Sequence, residues 1–288
     1  MTDITADLAR TLVADQFPHW ADLPIRPVQR QGWDNRTFRL GEDLTVRLPS
    51  GAAYVPAIAK EDRHLPALAQ HLPIPIPEPV ATGRPTEAYP HPWSIRRWLP
   101  GTPLADAEDI DQHQFALDLA AILRTLRSVP IEGPAGGAHS FHRGCHPSAY
   151  ADHVQNALRT LEGTIDTRAC QVIWDQAMAT VWARPGVWFH GDIAVGNLLT
   201  EGGRLSALID FGTCGTGDPA CDLQIAWTYF TGPARRAFRD AVGLDEDTWA
   251  RARGWTLWKA LIMVAGTPGP EADTQARILA DVIADPLA

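Results

Sequence analysis

Apolar and polar positions change rhythm about a third of the way along the chain. At first the period is short. Leu44, Val46 and Leu48 fall on one side of an extended segment and Thr45 and Arg47 on the other. That alternation predicts a half-buried strand with an arginine on its polar face. Residues 25–31 and 37–40 read as two more strands, separated by the turn chemistry of Gly32-Trp33-Asp34-Asn35, with a second turn at Gly41-Glu42-Asp43. Ile58, Leu65, Leu68 and Ala69 recur near helical spacing and predict a helix over 55–70 that must accommodate Pro66. The proline-rich stretch 73–79 cannot be helical and reads as an extended linker. Residues 93–98 form a further strand, closed by Leu99-Pro100-Gly101.

Beyond that point the pattern lengthens. Residues 111–129, 147–161 and 167–183 read as helices. Two short strands with loops follow, over 187–200 and 204–211, and then helices over 219–229, 233–242, 247–264 and 271–283. The division falls at 98/99: an N-terminal β-rich lobe, 1–98, built around one main helix, and a large, mostly helical C-terminal lobe, 99–288.

Composition narrows the class. With 45% apolar and 20% charged residues among 288, the chain is globular in type. Its first residues are acidic where a signal peptide needs bases, and no apolar run approaches bilayer length. Four cysteines without Cys-x-x-Cys spacing fit reduced thiols, so the expected place is the cytoplasm. Residues 1–98 are neutral, with 11 basic and 11 acidic side chains; residues 99–288 carry 14 against 23, the whole net charge of −9. A nucleic-acid partner would need the opposite sign, and no membrane partner is expected. An acidic half suits a cationic ligand, although acidity also serves solubility.

The chemistry is concentrated late in the chain. Asp192, in His190-Gly191-Asp192, is followed five residues later by Asn197 and eighteen residues later by Asp210, which opens Asp210-Phe211-Gly212. A catalytic-loop Asp, an Asn five residues on and then Asp-Phe-Gly is the order of a kinase signature. Phosphoryl transfer runs through a loose transition state, so its catalysts position groups and neutralise charge. One carboxylate, Asp192, orients the acceptor hydroxyl and takes its proton. Two hard oxygen donors, Asn197 and Asp210, hold Mg2+ against the phosphates of ATP.

The run 190–197 together with 209–212 resembles the aminoglycoside phosphotransferase family, whose catalytic loop begins His-Gly-Asp. Gly217-Asp218-Pro219 followed by Asp222-Leu223, the turn 32–38 and Pro92-Trp93-Ser94 extend the resemblance over about residues 24–265. It implies an α+β, bilobal, protein-kinase-like fold. It implies that Asp222 braces the catalytic loop by accepting backbone N–H bonds and that His190 is a structural loop residue. It implies an adenine held on backbone groups near Arg97, Trp98 and Leu99, and a small-molecule hydroxyl acceptor. That acceptor would be an aminoglycoside or another antibiotic, with macrolides, choline-like alcohols and sugars left open.

Two departures stand out. Ala194 and Val195 replace a His-Pro pair common in the family's loop. The phosphate-binding lysine of the third strand is absent; Arg47 stands there, with Glu61 as its expected ion-pair partner and Lys60 as the alternative phosphate contact. Arginine can grip phosphate bidentately but is no neutral exchange for lysine. Neither a Gly-x-Gly-x-x-Gly between the first strands nor a Gly-x-x-x-x-Gly-Lys is present, so 32–35 must turn over the nucleotide, with Arg36 or Asn35 as further phosphate contacts. Two rival readings differ in class. One is a metal-dependent phosphoester hydrolase using His190, Asp192, Asp210 and Asp218. The other is a catalytically quiet nucleotide-binding regulator. Trp33 and Trp98 are the tryptophans expected to flank the nucleotide. His142, Cys145 and His146 lack zinc-motif spacing, and 133–144 reads as a mobile loop that reaches the acceptor.

Overall fold

The computed structural model describes residues 3–285. They divide into two compact units: residues up to 102 together with 206–212, and residues 103–205 together with 213 onward.

The first unit is a five-stranded antiparallel sheet with two helices. Its strands are β1 (Ile25–Pro27), β2 (Asn35–Leu40), β3 (Leu44–Pro49), β4 (Pro79–Gly83) and β5 (Trp93–Arg97), in the order β1-β2-β3-β5-β4. Register pairs Val46 with Ile95, Phe38 with Val46, and Arg47 with Ser94. Because side chains alternate across a sheet, one face collects Phe38, Leu40, Val46, Leu48, Trp93 and Ile95, all buried. The opposite face collects Thr45, Arg47, Ser94 and Arg96.

Helix α1 (Ala6–Gln16) covers the apolar face with Ala9, Leu12 and Val13. It lies where the sequence reading expected no helix. The signal was present: Leu8, Ala9, Leu12 and Val13 share one helical face, and the Thr5 hydroxyl caps it by accepting the Leu8 N–H at 3.2 Å. Helix α2 (Val55–Ala69) contributes Ile58, Leu65 and Leu68, and Pro66 sits inside it. The proline-rich linker ends in β4, where Gly83 is required. A Cβ there would stand 1.9 Å from the Trp93 indole. The first strand is shorter than expected and ends at Pro27.

After β6 (Thr102–Pro103) the second unit is helical around a small β element. It contains α3 (Gln112–Ser128), α4 (Ala151–Thr160), α5 (Thr167–Met178) and β7 (Val187–Phe189). Next, β8 (Leu198–Glu201) turns through Gly202-Gly203 into β9 (Arg204–Leu208), which carries the chain back to the first unit for residues 206–212. Then come β10 (Gly215–Gly217), paired with β7, the single turn α6 (Ile225–Thr228), and helices α7 (Gly232–Val242), α8 (Glu246–Val264) and α9 (Pro270–Ala284). Helix α8 is the centre of this unit. It is buried on nearly every side, with Trp249, Trp255, Leu257 and Leu261 at 1% exposure or less. Where the sequence pattern predicted one helix over 219–229, Pro219 starts a 3-10 turn, Pro219–Leu223, and only one α turn follows.

Residues 133–144 do not hang free. Gly136 N–H donates to Thr216 O at 2.9 Å, Thr216 N–H donates to Pro134 O at 2.8 Å, and Gly144 O accepts the Asp218 N–H at 2.8 Å. Among the described residues no helix is long and apolar enough to cross a membrane.

Candidate active site

The polar face of the first unit's sheet carries two arginines at different depths. Arg96, on β5, is fully buried. Its Nε donates to Ser94 Oγ at 3.1 Å, its Nη1 to Pro77 O at 3.3 Å, and its Nη2 lies 3.0 Å from Asp62 Oδ1 and 3.4 Å from Glu61 Oε2. Arg47, on β3, bridges two carboxylates. Its Nη1 lies 3.4 Å from Glu61 Oε1 and its Nη2 3.1 Å from Asp210 Oδ1. Burial disfavours the Arg47 charge, but Glu61 and Asp210 more than offset it, and its pKa stands above the usual arginine value. Glu61 is thus shared by two guanidinium groups. The second was missed in the sequence, although the alternation Trp93-Ser94-Ile95-Arg96 already put Arg96 on the side of Thr45 and Arg47.

Lys60 Nζ donates to the Gly212 carbonyl at 2.7 Å. In the turn 32–35, the Asp34 carbonyl accepts the Ser50 N–H at 2.8 Å. Arg36 folds back on its own turn, donating to Gly32 O at 2.7 Å, and the Trp33 indole stands 83% exposed. At the strand end, the Arg97 N–H is spent on Glu78 O and the Trp98 N–H on Asp43 O. The Trp98 ring is covered by the Arg39 guanidinium, 4.0 Å from its centroid. Of the three residues expected to hold adenine, Leu99 is the one whose N–H has no backbone partner among the described residues.

The second unit holds the His-Gly-Asp loop. It leaves β7, and Asp222 grips it from below: Oδ2 accepts the His190 N–H at 2.8 Å and Oδ1 the Gly191 N–H at 2.6 Å. Gly191 is needed on two counts. Its φ is +87°, and a Cβ would lie 2.7 Å from Thr213 Oγ1. The His190 ring is fully buried, and its Nδ1 accepts the Asp192 N–H at 3.2 Å. Asn197 Nδ2 donates to both the Asp192 carbonyl at 3.0 Å and Asp192 Oδ2 at 2.8 Å. The Val195 carbonyl, in the replaced His-Pro pair, accepts the Ala105 N–H at 3.0 Å. Burial pushes the Asp222 carboxyl above the ordinary range, opposed by His190 and by the two N–H donors. Asp218 is buried too, with its Oδ2 2.6 Å from Arg251 Nε, so the segment bearing Asp222 is tied to α8. That role for Arg251 had no signal in the sequence, since 33 positions separate the pair.

These commitments bear on the alternatives. His190 is a loop brace and Asp218 an arginine partner, so neither is placed as a metal ligand. His146 is also occupied, by Thr180 O at 2.9 Å and the Ser148 N–H at 3.2 Å. Among the described residues no three His, Cys, Asp or Glu side chains gather as a metal nest. Magnesium on a nucleotide needs only one or two protein oxygens, because phosphates and water supply the rest. Each candidate taken by itself is compatible with that demand: Asn197, its nitrogen spent on Asp192, keeps its amide oxygen, and the Asp210 side chain remains 32% exposed.

No curated protein matches the chain. Among solved structures, the GDP complex of wild-type aminoglycoside 2'-phosphotransferase-IIIa is similar at 18% identity, with 98% of this chain and 99% of that one covered and a TM-score of 0.71. The streptomycin–ATP ternary complex of APH(2")-IIa is similar at 16% identity, covering 97% of each chain, with a TM-score of 0.62. The apoenzyme of macrolide 2'-phosphotransferase MphH from Brachybacterium faecium is similar at 21% identity, covering 95% of this chain and 97% of that one, with a TM-score of 0.59. These likenesses show a protein-kinase-like α+β fold. The model of the phosphotransferase enzyme family APH matches residues 24–255, about four fifths of the sequence. The chain therefore belongs to the APH phosphotransferase enzyme family and is a nucleotide-dependent small-molecule kinase.

Proposed function

We propose that this kinase transfers the γ-phosphoryl group of MgATP to a hydroxyl of a small cationic molecule, an aminoglycoside or a related antibiotic. The observation that carries the proposal is the pairing of Asp192 with Asn197 in a loop whose backbone is fixed by Asp222. A fixed carboxylate is what a proton acceptor for an alcohol needs. Asp192 accepts the hydroxyl proton as the acceptor oxygen bonds to the γ-phosphorus and the bond to the ADP oxygen breaks. Asn197 steers Asp192 through its amide N–H. Asn197 and Asp210 supply the protein oxygens for magnesium, which, when bound, neutralises charge on the phosphates. Arg47, held by Glu61, faces the phosphates, and Leu99 offers the N–H for adenine. In this reading residues 1–98, with Leu99 at their edge, hold most of the nucleotide, and residues 99–288 hold the catalytic loop, the magnesium oxygens and the acceptor.

A cationic acceptor is supported by the acidic excess of residues 99–288 and by similar structures solved as complexes with kanamycin, streptomycin and gentamicin. The test is a panel of aminoglycosides, macrolides and choline, assayed for ADP release from MgATP and for GDP release from MgGTP. Turnover with an aminoglycoside and ATP is the expected outcome. Turnover confined to neutral sugars would reassign the acceptor. ADP release at the same rate without any acceptor would remove the transferase role.

A further inference from the structure

Asp210 has φ +67°, the left-handed region, in a residue that is not glycine. That conformation is unfavourable by about 1–2 kcal/mol for an L-residue, and it persists only where the surroundings impose it. Three groups impose it here. Phe211 is fully buried. Arg47 Nη2 holds the Asp210 carboxylate at 3.1 Å. Lys60 Nζ holds the Gly212 carbonyl at 2.7 Å.

The two cations are not equivalent. Arg47 binds the very carboxylate that the metal requires, so its hold weakens when Asp210 turns to a cation. Lys60 binds a backbone carbonyl, which coordination of Asp210 leaves untouched. Its ammonium belongs to a residue only 9% exposed, and taking such a group from water is costly unless it is paired. The helix that delivers it is itself fixed, because the next two residues, Glu61 and Asp62, are clamped by the fully buried Arg96. The sequence contains only two lysines, and this one lies under the metal-binding turn.

We propose that Lys60 is a positioning residue for magnesium binding: it keeps Asp210-Phe211-Gly212 in the strained conformation that presents the Asp210 carboxylate. The inference rests on the reading of Asp210 as a magnesium ligand. Its test is calorimetric titration of ATP into the full chain at stepped Mg2+ concentrations, for the natural protein, Lys60→Met, Lys60→Arg and Asp210→Asn. Losing a charge-assisted hydrogen bond should raise the Mg2+ needed for half-maximal tightening of ATP binding about tenfold in Lys60→Met. Affinity for ATP without Mg2+ should stay within about twofold, and Lys60→Arg should recover most of the loss, since it keeps a cationic donor. If Lys60→Met does not fold, Lys60→Gln, which keeps N–H donors but not the charge, is read the same way. A Lys60 variant with the natural Mg2+ dependence overturns the inference, as does equal weakening of ATP binding with and without Mg2+. Should the natural protein and Asp210→Asn respond to Mg2+ alike, the reading of Asp210 as ligand fails first and the inference falls with it.

Discussion

Asp210 and Asp192 are both carboxylates proposed to act on the same reaction, yet the two units hold them in opposite ways. Asp210 is gripped through its own oxygen by a cation, Arg47, on a backbone in the left-handed region. Asp192 is positioned through hydrogen bonds of its loop and its carboxylate. Its loop backbone hangs on Asp222 and His190, and its carboxylate takes an amide N–H from Asn197. A residue that must pass from a protein cation to a metal is served by an exchangeable ion pair. A proton acceptor is served by a rigid backbone that leaves its basicity to the reaction. The first arrangement depends on an ion pair at the carboxylate itself, the second on hydrogen bonds that fix the loop.

That contrast can be broken at either end. The largest effect is expected at Arg96, which anchors the ionic network. Arg96→Met leaves Glu61 and Asp62 without their buried partner and should cost about 3–5 kcal/mol of stability, read by chemical denaturation. Unchanged stability would show that the network is not what fixes α2. Next comes Asp192→Asn, expected to lower turnover by more than about a hundredfold, or roughly 2.7 kcal/mol of barrier, with MgATP binding retained. Near-natural turnover in that variant refutes Asp192 as the base.

Asp222→Asn removes one of two acceptors beneath the loop and should cost about 1–3 kcal/mol, read by denaturation together with turnover. The same residue predicts a pH effect. Its folded pKa is raised by burial, so the folded chain holds that proton more tightly than the unfolded one. Its contribution to stability is therefore fullest below the unfolded value near 3.9 and declines as pH rises through the folded value. Conversely, acidification should protonate the loop's brace before ordinary carboxylates titrate, and an acid limb of activity should disappear in Asp222→Asn. The smallest effect is expected for Arg47→Lys. It loses one of two ionic contacts, about 1 kcal/mol, and should weaken MgATP binding about fivefold by calorimetry.

Much of this molecule is written locally. The strand at 44–48, the orientation of Arg47 and the order Asp192, Asn197, Asp210 all follow from side-chain period and spacing, because these are fixed by backbone geometry a few residues at a time. The N-terminal helix was legible in the spacing of Leu8, Leu12 and Val13, but its place against the sheet was not. What only the tertiary structure decided is which distant groups meet: Arg96 with Glu61, Arg251 with Asp218, Lys60 with the carbonyl of Gly212. Such pairs join residues 33 to 152 positions apart. No local period encodes them, since they form only when burial removes water and leaves each charge to find its partner inside the protein.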